Sequence, residues 1–365
     1  MKIVVIGTRG IPDIQGGVET HCQELYPRIV KLGCDVTVVR RSSYIAPSNR
    51  ISDFDGVKLH DIYAPRKKSI EAIIHTFLSV CYAKKEHADI LHIHAVGPSL
   101  LVPFAKFLGL TVIMTHHGPD YERKKWGKLA KVVINFGERV GIKYANQVIV
   151  ISDVINNIIK AKYKYSKANL IYNGVNIPIK SKKIDYLERL GLESGKYIFT
   201  LGRFVEEKGF DGLIKGFLNA KLVDYKLVIA GAADHEDEYS SKLKHLAYTN
   251  NIILTGFIKG EKLNQLFTNA RLFVLPSFHE GLPISLLEAM SYNLDVLVSD
   301  IPANLEIKLD KNNYFNCGNW EDLTSKLLQK INNQAISIQY NMEKYNWNHI
   351  AKQVYSIYQI GRAHV

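Results

Sequence analysis

Short apolar runs alternate along this chain with longer stretches of mixed polarity. The runs KIVVIG, DVTVV, VKLHDIY, DILHIHA, TVIMTHH, QVIVIS and NLIYNG are rich in β-branched residues and predict strands. Between most of them, for example from Gly17 to Leu32 and from Lys128 to Tyr144, the sequence has a helical pattern. Strand alternating with helix predicts a parallel sheet covered on both faces. After Pro178 the chain turns polar and charged, from about Lys183 to Gly195, and the alternation then restarts with YIFTLG, KLVIAG, IILTG, RLFVLPS and DVLVSD. The pattern predicts an α/β chain of two successive doubly wound, Rossmann-like domains, 1–180 and 196–340, with a linker at 181–195. Ligand is expected at the carboxyl ends of the strands, in a cleft between the domains.

Composition agrees with this picture and removes several classes. A chain of 365 residues is too long for one ordinary core and suits two domains of roughly 150–200 residues. Hydrophobic content of 47% and charged content of 22% leave no low-complexity or disordered tract. No apolar run reaches the ~18–20 residues of a spanning helix, and MKIVVIGTRG leads directly into a strand, so a cytoplasmic protein is expected. Cys22, Cys34, Cys81 and Cys317 have neither Cys-x-x-Cys spacing nor adjacent histidine pairs, which fits reduced thiols better than disulfides or zinc.

Charge is informative once divided by position. Residues 1–180 hold 26 Lys+Arg against 14 Asp+Glu, while residues 181–365 hold 21 against 21, so the whole excess of +12 lies in the first half. Dense patches are Arg66-Lys67-Lys68, Arg123-Lys124-Lys125 with Lys128 and Lys131, and Lys160, Lys162, Lys164 and Lys167. Any one of these reads as a solvated face, but the one-sidedness favours an anionic membrane surface or an anionic acceptor. Nucleic acid, the rival polyanion, is disfavoured because no nucleic-acid-binding motif is present.

The strand ends carry the candidate chemistry. After the first strand, GTRGIPDIQGGVET places Gly16-Gly17 before a helix. That pair reads equally as a plain turn or as backbone that lets a phosphate approach a helix N-terminus. It is not the dinucleotide fingerprint, because Gly7, Gly10, Gly16 and Gly17 do not fit G-x-G-x-x-G and DVTVVRR ends in no acid. A nicotinamide oxidoreductase is disfavoured on this ground. In THHGPD, His116 and His117 point to opposite sides of an extended segment, so one can face a ligand while the other packs. In YIFTLGRFVEEKGF, Arg203 follows a strand and Lys208 precedes a helix. The two suit a diphosphate, with surface salt bridges to Glu206 and Glu207 as the alternative.

The stretch PSFHEGLPISLLEAMS sets Glu280 before a helix and Glu288 inside it, with Pro283 in the first helical turn. The amides of residues 281–285, that is Gly281, Leu282, Pro283, Ile284 and Ser285, then point outward toward a phosphate. Carboxylates beside a phosphate need a polyhydroxylated partner between them, which a sugar and a ribose supply. Asp53-Phe54-Asp55 is read as a turn rather than a metal site, since Gly56 follows it.

Taken together, GGVE, HHG at 116–118, YNGV at 172–175, LGRFVEEKG at 201–209, TGF at 255–257 and the E-x7-E stretch resemble the retaining family 4 glycosyltransferases of GT-B architecture, over nearly the whole chain. The resemblance implies that Arg203 and Lys208 bind the donor diphosphate and that Glu288 binds its ribose. It puts Glu280 near the reacting carbon, His117 on the donor sugar, Gly16 and Gly17 against phosphates and sugar, and Phe257 and Ile258 beside the nucleobase. It also implies transfer with retention, no metal or cofactor, and a terminal helix, 341–359, that crosses back onto the first domain. GTRGIP with GGVET further resembles bacterial enzymes that extend surface polysaccharide precursors, which implies a glycan or polyprenyl-linked glycan acceptor. One departure is that Asn293 and Asp295 stand where the family commonly has Gly and Pro. The rival readings are a sugar-nucleotide epimerase of similar fold and a non-catalytic membrane or polyanion scaffold. The last residues, 360–365, resemble translated adapter sequence and are expected to carry no function.

Overall fold

A computed structural model describes residues 1–65, 70–122, 126–333 and 338–363. The chain forms two compact units, Met1–Gly174 with Tyr345–Val365, and Val175–Lys344.

The first unit contains the strands β1 (Lys2–Ile6), β2 (Asp35–Arg41), β3 (Asp53–Phe54), β4 (Val57–Ile62), β5 (Ile90–His94), β6 (Val112–His116), β7 (Gln147–Val150) and β8 (Asn169–Leu170). Its helices are α1 (Gly17–Lys31), α2 (Glu71–Lys85), α3 (Val102–Phe107), α4 (Lys128–Tyr144) and α5 (Asp153–Tyr163). The sheet order is β3-β4-β2-β1-β5-β6-β7-β8, parallel except for β3 against β4. β3 and β4 form a hairpin: Asp55 takes φ 50°, and the Gly56 amide donates to Asp53 Oδ1 at 3.1 Å. Asp53 and Phe54 are thus a short strand, and the turn expected of Asp53-Phe54-Asp55 is confined to Asp55-Gly56.

The strand cores are buried throughout β1, β5 and β6, as expected of a sheet sandwiched by helices. One of its faces is covered by the last helix of the chain, labelled α13 below, with Trp347, Ile350, Ala351, Val354, Ile357 and Tyr358 buried along one stripe. That spacing is the i, i+3, i+4, i+7 repeat of a helix facing a core. Large side chains of this kind contribute roughly 1.5–3 kcal/mol each when fully buried. Gly174 makes room for it, since a Cβ there would sit 2.5 Å from the Trp347 ring.

The second unit contains α6 (Asp185–Arg189), β9 (Tyr197–Leu201), α7 (Phe210–Asn219), β10 (Lys226–Ala230), α8 (Glu238–Thr249), β11 (Ile253–Gly256), α9 (Gly260–Asn269) and β12 (Leu272–Leu275). It continues with α10 (Ile284–Ser291), β13 (Val296–Ser299), α11 (Pro302–Leu305), β14 (Tyr314–Phe315) and α12 (Trp320–Asn332), and the chain ends in α13 (Trp347–Ala363). The strands are all parallel in the order β11-β10-β9-β12-β13-β14. Numbered within the unit this is 3-2-1-4-5-6, the doubly wound order whose direction reverses between its first and fourth strands, β9 and β12.

Three details differ from the sequence reading. The polar stretch 181–195 is not a bare linker: α6 buries Tyr186 and Leu187, and the Tyr186 amide donates to Gln265 Oε1 of α9 at 2.9 Å. The first unit ends at Gly174 rather than at 180, and Ser181 already donates to Asn264 Oδ1 at 3.1 Å within the second. The terminal helix is Trp347–Ala363, shifted from 341–359, and includes most of the stretch expected to be a non-native tail; Gly361 is buried near Ile113. The family departure at Asn293 is absorbed locally. Asn293 takes φ 56°, a left-handed conformation that suits glycine and that asparagine tolerates better than most residues. Asp295 is held by Lys330 at 2.7 Å.

Candidate active site

In the second unit the candidate residues follow the carboxyl ends of β9, β11 and β12, and the strand order reverses between β9 and β12. Arg203 and Lys208 lie in the loop between β9 and α7. Gly209 ends that loop with φ 65°, and a Cβ there would stand 2.5 Å from the Pro276 carbonyl. Glycine therefore lets the β9 loop press against the β12 loop, and the Phe278 amide donates to the Glu207 carbonyl at 2.8 Å to fasten the two.

This contact brings Lys208 to Glu280. Lys208 Nζ donates to Glu280 Oε1 at 2.6 Å, and the two side chains are 17% and 11% exposed. The Ser277 hydroxyl donates to the same oxygen at 2.6 Å. Ser277 is positioned in turn by Ser299, whose hydroxyl donates to its carbonyl at 2.5 Å. Burial alone would push the Glu280 carboxyl up. The Lys208 charge and the hydrogen bonds from Lys208 and Ser277 outweigh it and hold the group below its ordinary value. Glu280 is thus an oriented carboxylate with one oxygen doubly hydrogen-bonded.

Arg203 donates from Nη1 to Asp234 Oδ2 at 2.9 Å, a partner absent from the sequence reading, which had weighed Glu206 and Glu207. Pro283 caps α10 rather than opening it, and it has no N–H to offer. The Leu286 and Leu287 amides return to the Pro283 carbonyl at 3.1 and 3.2 Å. Ile284 and Ser285 are therefore the residues whose amides lead this helix. Glu288 lies half-buried about one turn inside α10, on a different element from Glu280. Phe257 and Ile258 follow β11, the first exposed and the second buried.

In the first unit, Gly16 is the residue before α1 and has φ 149°. A Cβ there would lie 2.1 Å from Glu19 Oε2 and 2.3 Å from Arg9 Nη2. Arg9 and Glu19 form a buried pair at 2.9 Å, and Glu19 Oε1 also accepts from the Arg9 amide at 3.0 Å and the Thr8 hydroxyl at 3.2 Å. Arg9 Nη2 donates further to the Gln15 carbonyl. The GTRG loop is thereby fastened to the first turn of α1. A Cβ on Gly17 would meet nothing within 4 Å, so its backbone is open to a ligand.

The two adjacent histidines separate as the extended backbone requires. His116 is fully buried: it accepts at Nδ1 from the Gly118 amide at 3.1 Å and donates from Nε2 to Glu138 Oε1 at 2.8 Å. Glu138 is also held by Lys162 at 2.6 Å and by the Tyr163 hydroxyl at 2.5 Å. Burial opposes its charge, but these partners prevail and bring it down to about 2. Lys162, read from sequence as part of a basic patch, is therefore a structural cation. The runs Arg66-Lys67-Lys68 and Arg123-Lys124-Lys125 lie outside the described residues.

His117 faces the other way, half-buried, with Nε2 2.8 Å from His94 Nδ1 and its ring 5.0 Å from His21. Burial first, and then the neighbouring His21, His116 and His92, hold it well below the ordinary histidine range, so it is a neutral imidazole at neutral pH. His21 and His94 were not singled out from sequence. The available signal was the alternation in DILHIHA, which puts His92 and His94 on one face of β5; their rings stack at 4.3 Å.

Comparison with known proteins adds to these observations. The model of Glycosyltransferase Family 4 matches residues 15–177, and that of Glycosyl transferases group 1 matches residues 183–349. An uncharacterized glycosyltransferase of Methanocaldococcus jannaschii is 25% identical over 99% of this chain and 98% of its own length. A UDP-Gal:α-D-GlcNAc-diphosphoundecaprenol α-1,3-galactosyltransferase of Escherichia coli is 30% identical over 60% of each chain. The solved structure of sucrose-phosphate synthase from Thermosynechococcus elongatus superimposes with a TM-score of 0.83 at 19% identity, covering 100% of both chains. With one Rossmann-like sheet in each unit and a family match across each half, the chain belongs to the family 4, group 1 glycosyltransferases of GT-B architecture.

Proposed function

We propose that this enzyme transfers a glycosyl group from a nucleotide diphosphate sugar to a glycan or polyprenyl-linked glycan with retention at the anomeric carbon, without a metal, in bacterial surface polysaccharide synthesis. The observation that carries the reading is the Lys208–Glu280 pair at the strand-order reversal of the second unit. In this reading Lys208 and Arg203 neutralise the diphosphate as it leaves, and the Ile284 and Ser285 amides at the start of α10 add a positive helix end. Glu280 accepts from the donor sugar hydroxyls through its less engaged oxygen, and Glu288 accepts from the ribose. Phe257 and Ile258 border the base, and Gly16 and Gly17 lie against phosphates and sugar.

The chemistry balances without a side-chain nucleophile. The bond from the anomeric carbon to the diphosphate oxygen breaks, and its electron pair leaves with the nucleoside diphosphate. The acceptor oxygen bonds to the same face, and its proton passes to the departing phosphate oxygen. Neutral His117 accepts from, or donates to, a hydroxyl of the reacting sugar without carrying a competing charge. An Escherichia coli relative acts with UDP-Gal on a diphosphoundecaprenol-linked sugar, which supports this donor and acceptor class.

The acceptor class calls for a membrane surface. No helix among the described residues is long and apolar enough to cross a membrane. On α4, however, Leu129, Val132 and Phe136 are 79%, 64% and 54% exposed, at the i, i+3, i+7 spacing of one stripe. Lys128, Arg139 and Lys143 are exposed on the same helix. An apolar stripe rimmed by lysine and arginine suits the interface of an anionic bilayer, which supports a reading in which the enzyme works on its cytoplasmic face.

The deciding experiment is a chelator-treated incubation with UDP-, GDP- and dTDP-sugars, following diphosphate release and the product anomer by NMR. Release from one donor, stimulated by a lipid-linked acceptor and giving the retained anomer, is expected. An inverted anomer or an absolute need for metal overturns the mechanism, and silence with every donor overturns the assignment.

A further inference from the structure

The reversal point of the first sheet, between β1 and β5, carries a cluster that glycosyl transfer leaves mostly unused. His21 on α1, His94 at the end of β5 and His117 after β6 each bring one ring nitrogen within 4.8 Å of the others. Their ring centroids lie 5.0, 5.1 and 5.5 Å apart.

The surrounding hydrogen bonds aim lone pairs inward. His21 Nδ1 lies 2.9 Å from Asn173 Oδ1. An amide oxygen only accepts, so the His21 proton is on Nδ1 and Nε2 keeps its lone pair. His94 Nε2 lies 2.5 Å from the Tyr26 hydroxyl, which reaches His92 Nδ1 at 3.0 Å, and His92 Nε2 reaches Thr115 Oγ1 at 2.7 Å. With the His94 proton on Nε2, the Tyr26 hydroxyl accepts from His94, His92 Nδ1 accepts from the Tyr26 hydroxyl and from that of Tyr358 at 2.6 Å, and His94 Nδ1 is a lone pair that accepts from His117 Nε2; a metal takes that lone pair once the His117 proton moves to its Nδ1. A neutral imidazole whose far nitrogen is fixed by a hydrogen bond is the usual form of a metal-bound histidine.

We propose that His21 Nε2, His94 Nδ1 and His117 Nε2 form a binding site for an imidazole-preferring divalent transition metal, Zn²⁺ foremost, and that its occupancy inhibits transfer. Zinc with nitrogen ligands at about 2.0–2.1 Å sets ligand nitrogens about 3.4 Å apart. His94 and His117, at 2.8 Å, open slightly to reach this, and His21, within 4.8 Å of them, closes by up to about 1.4 Å. Three protein ligands leave a fourth position for water, and Asn173 and Tyr26 form the outer shell that orients the rings. The binding half of the proposal stands on this cluster alone. The inhibitory half rests on the role given above to His117, whose ring a metal would hold away from the donor sugar.

The test titrates Co²⁺, as an optical stand-in, and Zn²⁺ into the chelated full chain. One equivalent is expected, with the visible bands of a low-coordinate nitrogen-ligated Co²⁺ and no thiolate charge transfer. Hyperfine-shifted NMR signals from three imidazoles are expected in the wild type, which needs no variant. His21→Gln and His94→Gln, with melting curves to check folding, should weaken binding by no less than the about 10–100-fold typical of losing an outer-shell partner. Absence of binding below millimolar metal, fewer than three shifted imidazoles, or unchanged affinity in both folded variants overturns the site. Zinc should inhibit wild-type transfer reversibly and leave folded His21→Gln uninhibited. Stoichiometric binding with unaffected transfer overturns the inhibitory half alone, and binding in a protein that transfers nothing counts against the proposed function instead.

Discussion

Replacing Lys208 with methionine keeps most of the stem volume and removes the charge that holds Glu280. In the native chain the two are 2.6 Å apart, with 17% and 11% of their side chains exposed, so solvent does little to compensate the loss. Breaking a buried ion pair costs about 3–5 kcal/mol, and the residual exposure places this pair near the lower end. For a unit of this size about 3 kcal/mol corresponds to a fall in Tm of roughly 6–12 °C. The pH dependence gives the sharper test. The Glu280 carboxyl is held below its unfolded value, so its contribution is full above the unfolded value and is lost as pH falls through the folded one. In Lys208→Met burial is opposed by the Ser277 hydrogen bond and the neighbouring His279 without the lysine charge, and the carboxyl moves upward. The Tm gap between wild type and variant should therefore be wide at pH 7 and narrow on acidification toward pH 4. Scanning calorimetry with parallel transfer assays reads both effects, and kcat/KM should fall by about 10²–10³-fold, as on removing one preorganised charge-stabilising donor. A Tm gap unchanged between pH 7 and pH 4, or native turnover, would sink the assignment.

Four further outcomes follow from other parts of the molecule. Glu280→Gln keeps the shape and should cut transfer strongly while leaving circular dichroism unchanged; undiminished turnover removes Glu280 from the site. Gly16→Ala forces a side chain to within 2.1 Å of Glu19 and should lower stability by about 1–3 kcal/mol, whereas Gly17→Ala should melt normally and raise the donor KM; equal effects on melting would contradict this division. Glu138→Gln should cost about 3 kcal/mol near neutrality, and because the folded carboxyl titrates at about 2, the difference should shrink on acidification from its unfolded value toward pH 2. Leu129→Ser with Phe136→Ser should reduce sedimentation with phosphatidylglycerol vesicles while sparing activity on a soluble acceptor analogue; unchanged sedimentation excludes α4 as the docking face.

Periodicity was enough to place nearly every strand, because both sheets are buried on two faces and their strands are short apolar runs. Strand order was not written locally, yet the alternation of strand and helix already implied the doubly wound arrangement that puts Lys208 beside Glu280. What sequence could not supply were partners chosen by tertiary packing. Asp234 for Arg203 and Glu138 for Lys162 come from distant elements, and charges close in sequence competed for attention with them. The helix at Asp185–Arg189 was hidden because a short, mostly exposed element has little periodicity to display. His21 was invisible for a related reason: a histidine on a helix face gains meaning only when β5 and β6 bring two more against it.

The placement of α13 has a consequence for biosynthesis. The first sheet is complete in sequence by residue 170, yet the helix that covers one of its faces starts at Trp347. At about 5–20 residues per second, a ribosome needs roughly 10–35 s to make the intervening residues 175–344. Throughout that interval the nascent sheet lacks Trp347, Ile350, Val354 and Tyr358, and His92 lacks the Tyr358 hydroxyl that meets it at 2.6 Å. The unit that emerges first is thus the last to become fully native, and a chaperone that shields its uncovered face during translation would act there.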